Sequence, residues 1–200
     1  MARKGTFLIA LLMLAALAPR ADAGSWLIDA NAGVGIPTGD FSDAWKSGLI
    51  VGGALDYSSA PFAIGIDASW LKNHPSDDFQ NVLDVLGADD DFRFVQYGAH
   101  MKWMPQTSGS LTPYLGVGAG AYNVKESYED PSFSEEVTQT AFGVHVGGGL
   151  NYWISPSWGL GVDASYHDAF VDKDRFGTDS APFVALAGGF RWKLSSSTSR

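Results

Sequence analysis

"GLGVDASYH", residues 159–167, alternates small or polar residues with apolar ones and sets an aspartate at its centre. Nearly the same phrase, "AIGIDASWL", stands at 63–71. Alternation of period two over such a length is the mark of a strand with two unlike faces. In 158–166 one face carries Trp158, Leu160, Val162, Ala164 and Tyr166, and the other Gly159, Gly161, Asp163 and Ser165, with His167 next. In 62–70 the faces are Phe62, Ile64, Ile66, Ala68 and Trp70 against Ala63, Gly65, Asp67 and Ser69. Both apolar faces begin and end in an aromatic. Such rings favour membrane–water interfaces, where an apolar body and a polar tip are both satisfied. Aliphatics between two aromatics are the lipid-facing band of a transmembrane barrel strand.

The same alternation recurs in eight segments, near 25–36, 49–57, 62–72, 92–104, 113–124, 138–153, 158–167 and 182–194. Most reach the roughly 9–11 residues a tilted strand needs to cross a bilayer. The connections at 58–61, 105–112 and 155–157 are short and rich in turn residues, whereas those at 37–48, 73–91, 125–137 and 168–181 are longer and acidic. Long and short connections alternate strictly. In an up-and-down meander this gathers the long loops on one side and the short turns on the other, as in outer-membrane barrels. A second internal echo, "VGGALDY" (51–57) with "VGGGLNY" (146–152), keeps nearly the same offset as the first. That offset supports a four-plus-four arrangement. The predicted fold is all-β: an eight-stranded antiparallel up-and-down transmembrane barrel.

A soluble ligand-binding barrel also has eight strands, but turns its apolar face inward. The other face decides against it. That face supplies Gly33, Gly35, Gly52, Gly65, Gly116, Gly118, Gly147, Gly149 and Gly161, which suit the narrow interior of an eight-stranded barrel. The interface aromatics are then Trp26, Phe62, Trp70, Trp103, Trp158, Tyr166 and Trp192.

The polar face also carries Asp29, Asp56, Asp67, His100, Lys102, His145, Asn151, Asp163, His167, Arg191 and Lys193. Barrel closure makes Asp29 a neighbour of the strands bearing Asp56, Arg191 and Lys193, and Lys102 lies on the strand beside Asp67. Charges of both signs in a narrow tube must pair or be hydrated, because an isolated buried ion is costly. A polar network plugging the lumen is the first expectation, a narrow ion path the second, and a proton-active catalytic site the third.

Residues 1–23 read as an export signal: Arg3 and Lys4, an apolar stretch from Phe7 to Ala18, and the small-x-small site "ADA" at 21–23. Cleavage leaves a barrel domain at 24–194 and a polar tail at 195–200. Setting aside Arg3, Lys4, Arg20 and Asp22 leaves 10 basic and 21 acidic residues, a net charge of −11. That balance disfavours nucleic acid as a partner, since phosphate binding needs an excess of Lys and Arg. The chain has no cysteine, which excludes thiol catalysis and thiolate metal sites. Mean hydropathy near zero, −0.01, says nothing against a membrane barrel, whose lipid face is averaged away by alternation.

The meander as a whole, "GVGIPTGDF" (33–41) at the end of the first segment and "FVALAGGFRWKL" (183–194) at the last resemble the small outer-membrane barrels of the OmpA/OmpX type, porin-like barrel domains, over residues 24–200. Phe190, Trp192 and Leu194 resemble the family's C-terminal assembly signal, followed here by "SSSTSR" where the family ends on an aromatic. The resemblance implies outer-membrane localisation and reading by the barrel-assembly machinery. It leaves no room for a periplasmic wall-binding domain. Some barrels of this size resemble lipid A-modifying enzymes, but His74 and Ser76 of "HPSD" (74–77) are separated by Pro75, and Ala169 in "SYHDA" (165–169) stands where a serine is needed. No catalytic residue and no cofactor are expected. The acidic loops, with Asp89, Asp90 and Asp91 as weak metal candidates, suit solvation or bridging to lipopolysaccharide through divalent cations. "DKDRFG" (172–177) resembles a calcium loop only in part. A non-enzymatic structural or surface-interaction barrel is the expectation, a narrow channel the alternative, and a lipid A-modifying enzyme the third possibility.

Overall fold

A computed structural model describes residues 24–86, 88–105, 107–129 and 134–194. The export signal and the polar tail lie outside the described residues. Eight strands make up the molecule: β1 (Ser25–Pro37), β2 (Gly48–Ser59), β3 (Phe62–Asn73), β4 (Asp89–Trp103), β5 (Leu111–Glu129), β6 (Ser134–Trp153), β7 (Trp158–Phe170) and β8 (Ala181–Leu194). Each pairs antiparallel with the next, and β8 pairs back onto β1, so the sheet is a closed barrel with no free edge. Closure answers the demand of a lipid environment that every backbone donor and acceptor be satisfied within the protein.

Parity works as the sequence predicts. Along β7 the odd-numbered residues from Gly159 to Ala169 turn inward, and Trp158, Leu160, Val162, Tyr166 and Phe170 turn outward. Ile66 is 61% exposed and Phe190 65%, in a band of outward-facing Leu, Ile and Val that runs round the barrel. A soluble protein does not carry such a continuous apolar surface. Trp26, Tyr57, Phe62, Trp103, Tyr152, Trp158 and Trp192 ring its short-turn end, and Trp26 meets Tyr57 edge to face at 5.4 Å. Trp70, Tyr97, Phe142, Tyr166 and Phe170 mark the other end. From Trp158 to Tyr166 is eight steps, about 27 Å along the strand at about 3.4 Å per residue. No helix among the described residues is long and apolar enough to cross a membrane, as is expected where strands do the crossing.

The strands outrun the predicted segments at the long-loop end. Residues 125–137, expected as a loop, are largely strand: β5 runs to Glu129 and β6 starts at Ser134. The register Lys125↔Thr138 and Ser127↔Glu136 continues the ladder, and Lys125 Nζ lies 2.5 Å from Glu136 Oε2. Beyond the membrane both faces of a strand meet water, so no apolar alternation marks it.

Three loops at that end contain short helices: α1 (Phe41–Ala44), α2 (Asp77–Leu86) and α3 (Lys173–Phe176). Gly39, at φ +58°, turns the chain over the barrel rim in the left-handed region that glycine adopts without penalty. α1 thereby drops Phe41 and Trp45 into the barrel mouth. Neighbouring backbone holds it there: Ser76 N–H donates to Ala44 O and Lys46 N–H to His74 O, both at 2.8 Å. His74 and Ser76 are thus anchors of this loop, with Pro75 bridged to Trp45. "DKDRFG" is a capped helix: the Asp174 amide donates to Asp172 Oδ1 at 3.0 Å, and Gly177 closes the helix at φ +72°.

Candidate functional site

Inward residues of the eight strands form three layers in the lumen. The layer nearest the short turns is ionic. Lys102 Nζ, from β4, lies 2.9 Å from Asp29 Oδ2 on β1 and 2.6 Å from Asp56 Oδ2 on β2. Arg191 on β8 lies 3.4 Å from Asp29 Oδ1, pairs with Asp163 on β7, and donates through Nε to Asn151 Oδ1 at 3.1 Å. The Tyr114 hydroxyl donates to Asp163, and its ring lies 5.4 Å from the Lys102 ammonium. Asp56 is 0% exposed.

Glycine leaves room for the Arg191 guanidinium in this layer. A Cβ added to Gly161 would fall 2.7 Å from the Arg191 guanidinium carbon, so any larger residue there would make that side chain shift.

The middle layer holds the histidines. His100 bridges two carboxylates, with Nε2 2.5 Å from Asp56 Oδ1 and Nδ1 2.8 Å from Asp67 Oδ1. Gln96 Nε2 donates to Asp67 Oδ2 at 2.5 Å, and Ser69 Oγ donates to Gln96 Oε1 at 3.1 Å. The His145 ring lies 6.5 Å from that of His100 and 5.1 Å from that of His167. His167 hydrogen-bonds Tyr122 Oη through Nδ1 and Ser165 Oγ through Nε2, both at 2.9 Å, and stacks on Phe183. A cavity of about 140 Å³ runs beside these groups.

The layer at the long-loop end is apolar, and corrects the expectation of a lumen polar throughout. Phe92 and Phe94 from β4, Tyr122 and Val124 from β5 and Phe183 from β8 turn inward and meet Phe41 and Trp45 from the α1 loop. Ring centroids are 4.9 Å apart for Phe41 and Phe92, 4.9 Å for Trp45 and Phe92, and 5.3 Å for Phe94 and Phe183. Phe176 of α3 closes over Phe92 at 6.1 Å.

Ten of the eleven predicted lumen groups therefore stand in the two polar layers. Lys193 stands apart at the short-turn mouth, part-exposed and with no ion-pair partner among the described residues; its amide donates to Ser157 O at 2.7 Å. Lys102 lies on the strand beside that of Asp67, as expected. It pairs with Asp29 and Asp56, not with Asp67 on the adjacent strand, because the register sets Ala63 opposite Lys102 and Gly98 opposite Asp67. Sequence reasoning missed Gln96, Tyr114 and Tyr122, and placed Ser165 on the inward face without giving it a role. The three share the inward parity of their strands, which is the signal that would have found them.

Outside the membrane band the acidic loops are partly neutralised. Asp91 receives Lys72 at 2.6 Å and Arg93 at 3.2 Å. Asp90 Oδ1 accepts from the Asp91 amide at 2.7 Å, and burial, abetted by the Asp91 charge, pushes its carboxyl up to about 6. Side-chain detail of Asp89 lies outside the described residues. The carboxylates of Asp90 and Asp91 are thus turned to protein donors.

Comparison with known proteins places this architecture. No curated protein matches the chain. Among solved structures, Neisserial surface protein A shares 19% identity over 84% of this chain and 97% of its own, with a TM-score of 0.63. A major outer membrane protein of Thermus thermophilus shares 12% over 84% and 99%, also at 0.63. The outer membrane protein OprG of Pseudomonas aeruginosa shares 12% over 88% and 98%, at 0.54. At these identities the likeness shows the fold. The model of the outer membrane protein beta-barrel domain matches residues 6–192, nearly the whole sequence, and the chain belongs to that family.

Proposed function

We propose that this protein is a non-enzymatic outer-membrane barrel, closed to solute flow, that acts through its long-loop surface. One observation carries the reading: two packed layers stand in series along the lumen. An ion-paired layer fills the short-turn half, and the aromatic layer built from Phe41, Trp45, Phe92, Phe94 and Phe183 fills the long-loop mouth. Ions crossing a packed apolar layer would have to shed their hydration, which costs many kcal/mol. In barrels of this family short turns face the periplasm and long loops the exterior. The outer surface is then acidic, with exposed Asp40, Asp43, Asp77, Asp78, Asp84 and Asp179. Such a surface stays solvated and suits contact with lipopolysaccharide phosphates through bridging divalent cations.

The cavity of about 140 Å³ beside Asp67 and His100 favours the second reading, a narrow channel. The two are separated by single-channel recording of the folded barrel in a planar bilayer. A silent bilayer containing verified folded protein is the expected result. Steady openings that shift with Asp163→Asn would establish the channel instead.

A further inference from the structure

We propose that Asp67, His100 and His145 form a binding site for one divalent transition-metal ion of the Zn²⁺ class, held across the middle of the lumen. One donor atom from each residue, contributed by β3, β4 and β6, lies within 4.8 Å of the other two. Zinc bonds of about 2.0–2.2 Å in a tetrahedron set their ligand atoms roughly 3.4 Å apart, so side-chain rotations of about an ångström close the site. Two imidazoles and a carboxylate, with no thiolate, favour zinc and its neighbours in the transition series over calcium or magnesium, which prefer oxygen alone.

The supporting contacts fit a metal site. Asp56, fully buried, holds His100 Nε2 at 2.5 Å, the arrangement in which a carboxylate fixes a metal-binding imidazole by its far nitrogen. Nδ1 is then the ligand atom. Gln96 in the same way holds Asp67 Oδ2 and leaves Oδ1 to bind. Oδ1 and His100 Nδ1 stand 2.8 Å apart over a shared proton, and that proton leaves when the ion enters between them.

His145 supplies an independent observation. Its Nδ1 is buried and has no hydrogen-bond partner among the described residues. An unsatisfied buried polar atom is costly, and it marks a place where an ion or ordered water belongs. The ring is also fitted to its position by the facing strand: a Cβ on Gly118 would fall 2.3 Å from His145 Nε2. His167, the next ring in the column, is by contrast saturated by Tyr122 and Ser165.

Charge points the same way. In the networked layers four carboxylates, Asp29, Asp56, Asp67 and Asp163, face two permanent cations, Lys102 and Arg191. Two negative charges remain in a space of low dielectric once the proton shared by His100 and Asp67 has left, and a dication between Asp67 and the histidines balances them. The adjoining cavity has room for a water as fourth ligand.

The test uses the full barrel, folded in detergent and stripped with a chelator. Titration with Co²⁺ should give the intense visible bands of a tetrahedral site, and Zn²⁺ should displace Co²⁺ at one ion per chain by elemental analysis. His145→Ala and His145→Gln should each weaken Zn²⁺ at least ten-fold while the barrel stays folded, because neither touches the ion pairs of Asp56. His167→Ala should bind as the parent does. The assignment is overturned if the parent takes up no stoichiometric Zn²⁺, if either folded His145 variant keeps full affinity, or if a hundred-fold excess of Mg²⁺ displaces the ion.

Discussion

The ammonium of Lys102 on β4 lies 2.9 Å from the carboxylate of Asp29 on β1, so one side chain ties together strands three places apart across the lumen. Its other partner, Asp56, has no exposure to solvent and also holds His100. Removing the cation leaves two buried carboxylates facing each other, Asp29 with Arg191 as its remaining partner and Asp56 with His100. Lys102→Met should therefore cost about 3–5 kcal/mol, the usual loss when one partner of a buried pair is deleted. Adding Asp56→Asn should restore part of it, since the second change removes one of the stranded charges. Urea unfolding in lipid vesicles reads both. A single variant within about 0.5 kcal/mol of the parent would mean that water already carries these charges.

The aromatic layer makes a separate prediction. Phe94 is almost fully buried, against Phe41, Phe92 and Phe183. Phe94→Ala should destabilise the barrel by about 3–5 kcal/mol through lost burial and a cavity. It should not open the lumen, because the ion-paired layer still fills the other half. Planar-bilayer current from this variant should stay at baseline. Steady current would show that the apolar layer is the only seal and that the Lys102 and Arg191 layer leaks.

Much of this was legible as parity and little of it as partnership. Alternation put Asp67 and Asp163 on one face and Ile66 and Val162 on the other, since a side chain in a strand has only two faces to choose from. The aromatic ends, the loop lengths and the glycines of the polar face told inside from outside. It could not say that Lys102 would pass Asp67 for Asp29 and Asp56. Those pairings depend on register and tilt, which shift inward levels between strands and leave no trace in a single strand's pattern. The aromatic layer is the instructive miss. Phe92 and Phe94 share the parity of Gln96, His100 and Lys102, so their inward direction was readable. Phe41 and Trp45 come from a loop, where no period operates, and only the turn at Gly39 delivers them into the mouth.

Asp90 gives the loop tip a pH dependence whose direction follows from its surroundings. Burial and the neighbouring Asp91 raise its carboxyl from 3.8 to about 6. Between those values the folded tip holds a proton that the unfolded chain has released. Stability from this group is therefore greatest at low pH and falls as pH rises from about 4 through about 6. Asp90→Asn should remove the dependence. A ¹³C titration of the Asp90 carboxyl by NMR should find a midpoint near 6, and one near 4 would show the group to be solvated.

Ile66 tests the handedness of the whole assignment, inside against outside. It sits at the middle of the apolar band, 61% exposed, and its strand neighbours on either side are Gly65 and Asp67, which face the lumen. A cation placed there meets hydrocarbon. Ile66→Arg should cost about 2–4 kcal/mol in vesicles, the penalty for Arg at the midplane of a barrel. Asp43→Arg, on the exposed side of α1, should stay within about 0.5 kcal/mol. The contrast depends on lipid, so it should shrink when both variants are unfolded from detergent micelles, whose thin apolar shell lets a long side chain reach water. Equal costs for the two variants in vesicles would mean that the exposed isoleucines do not face a bilayer.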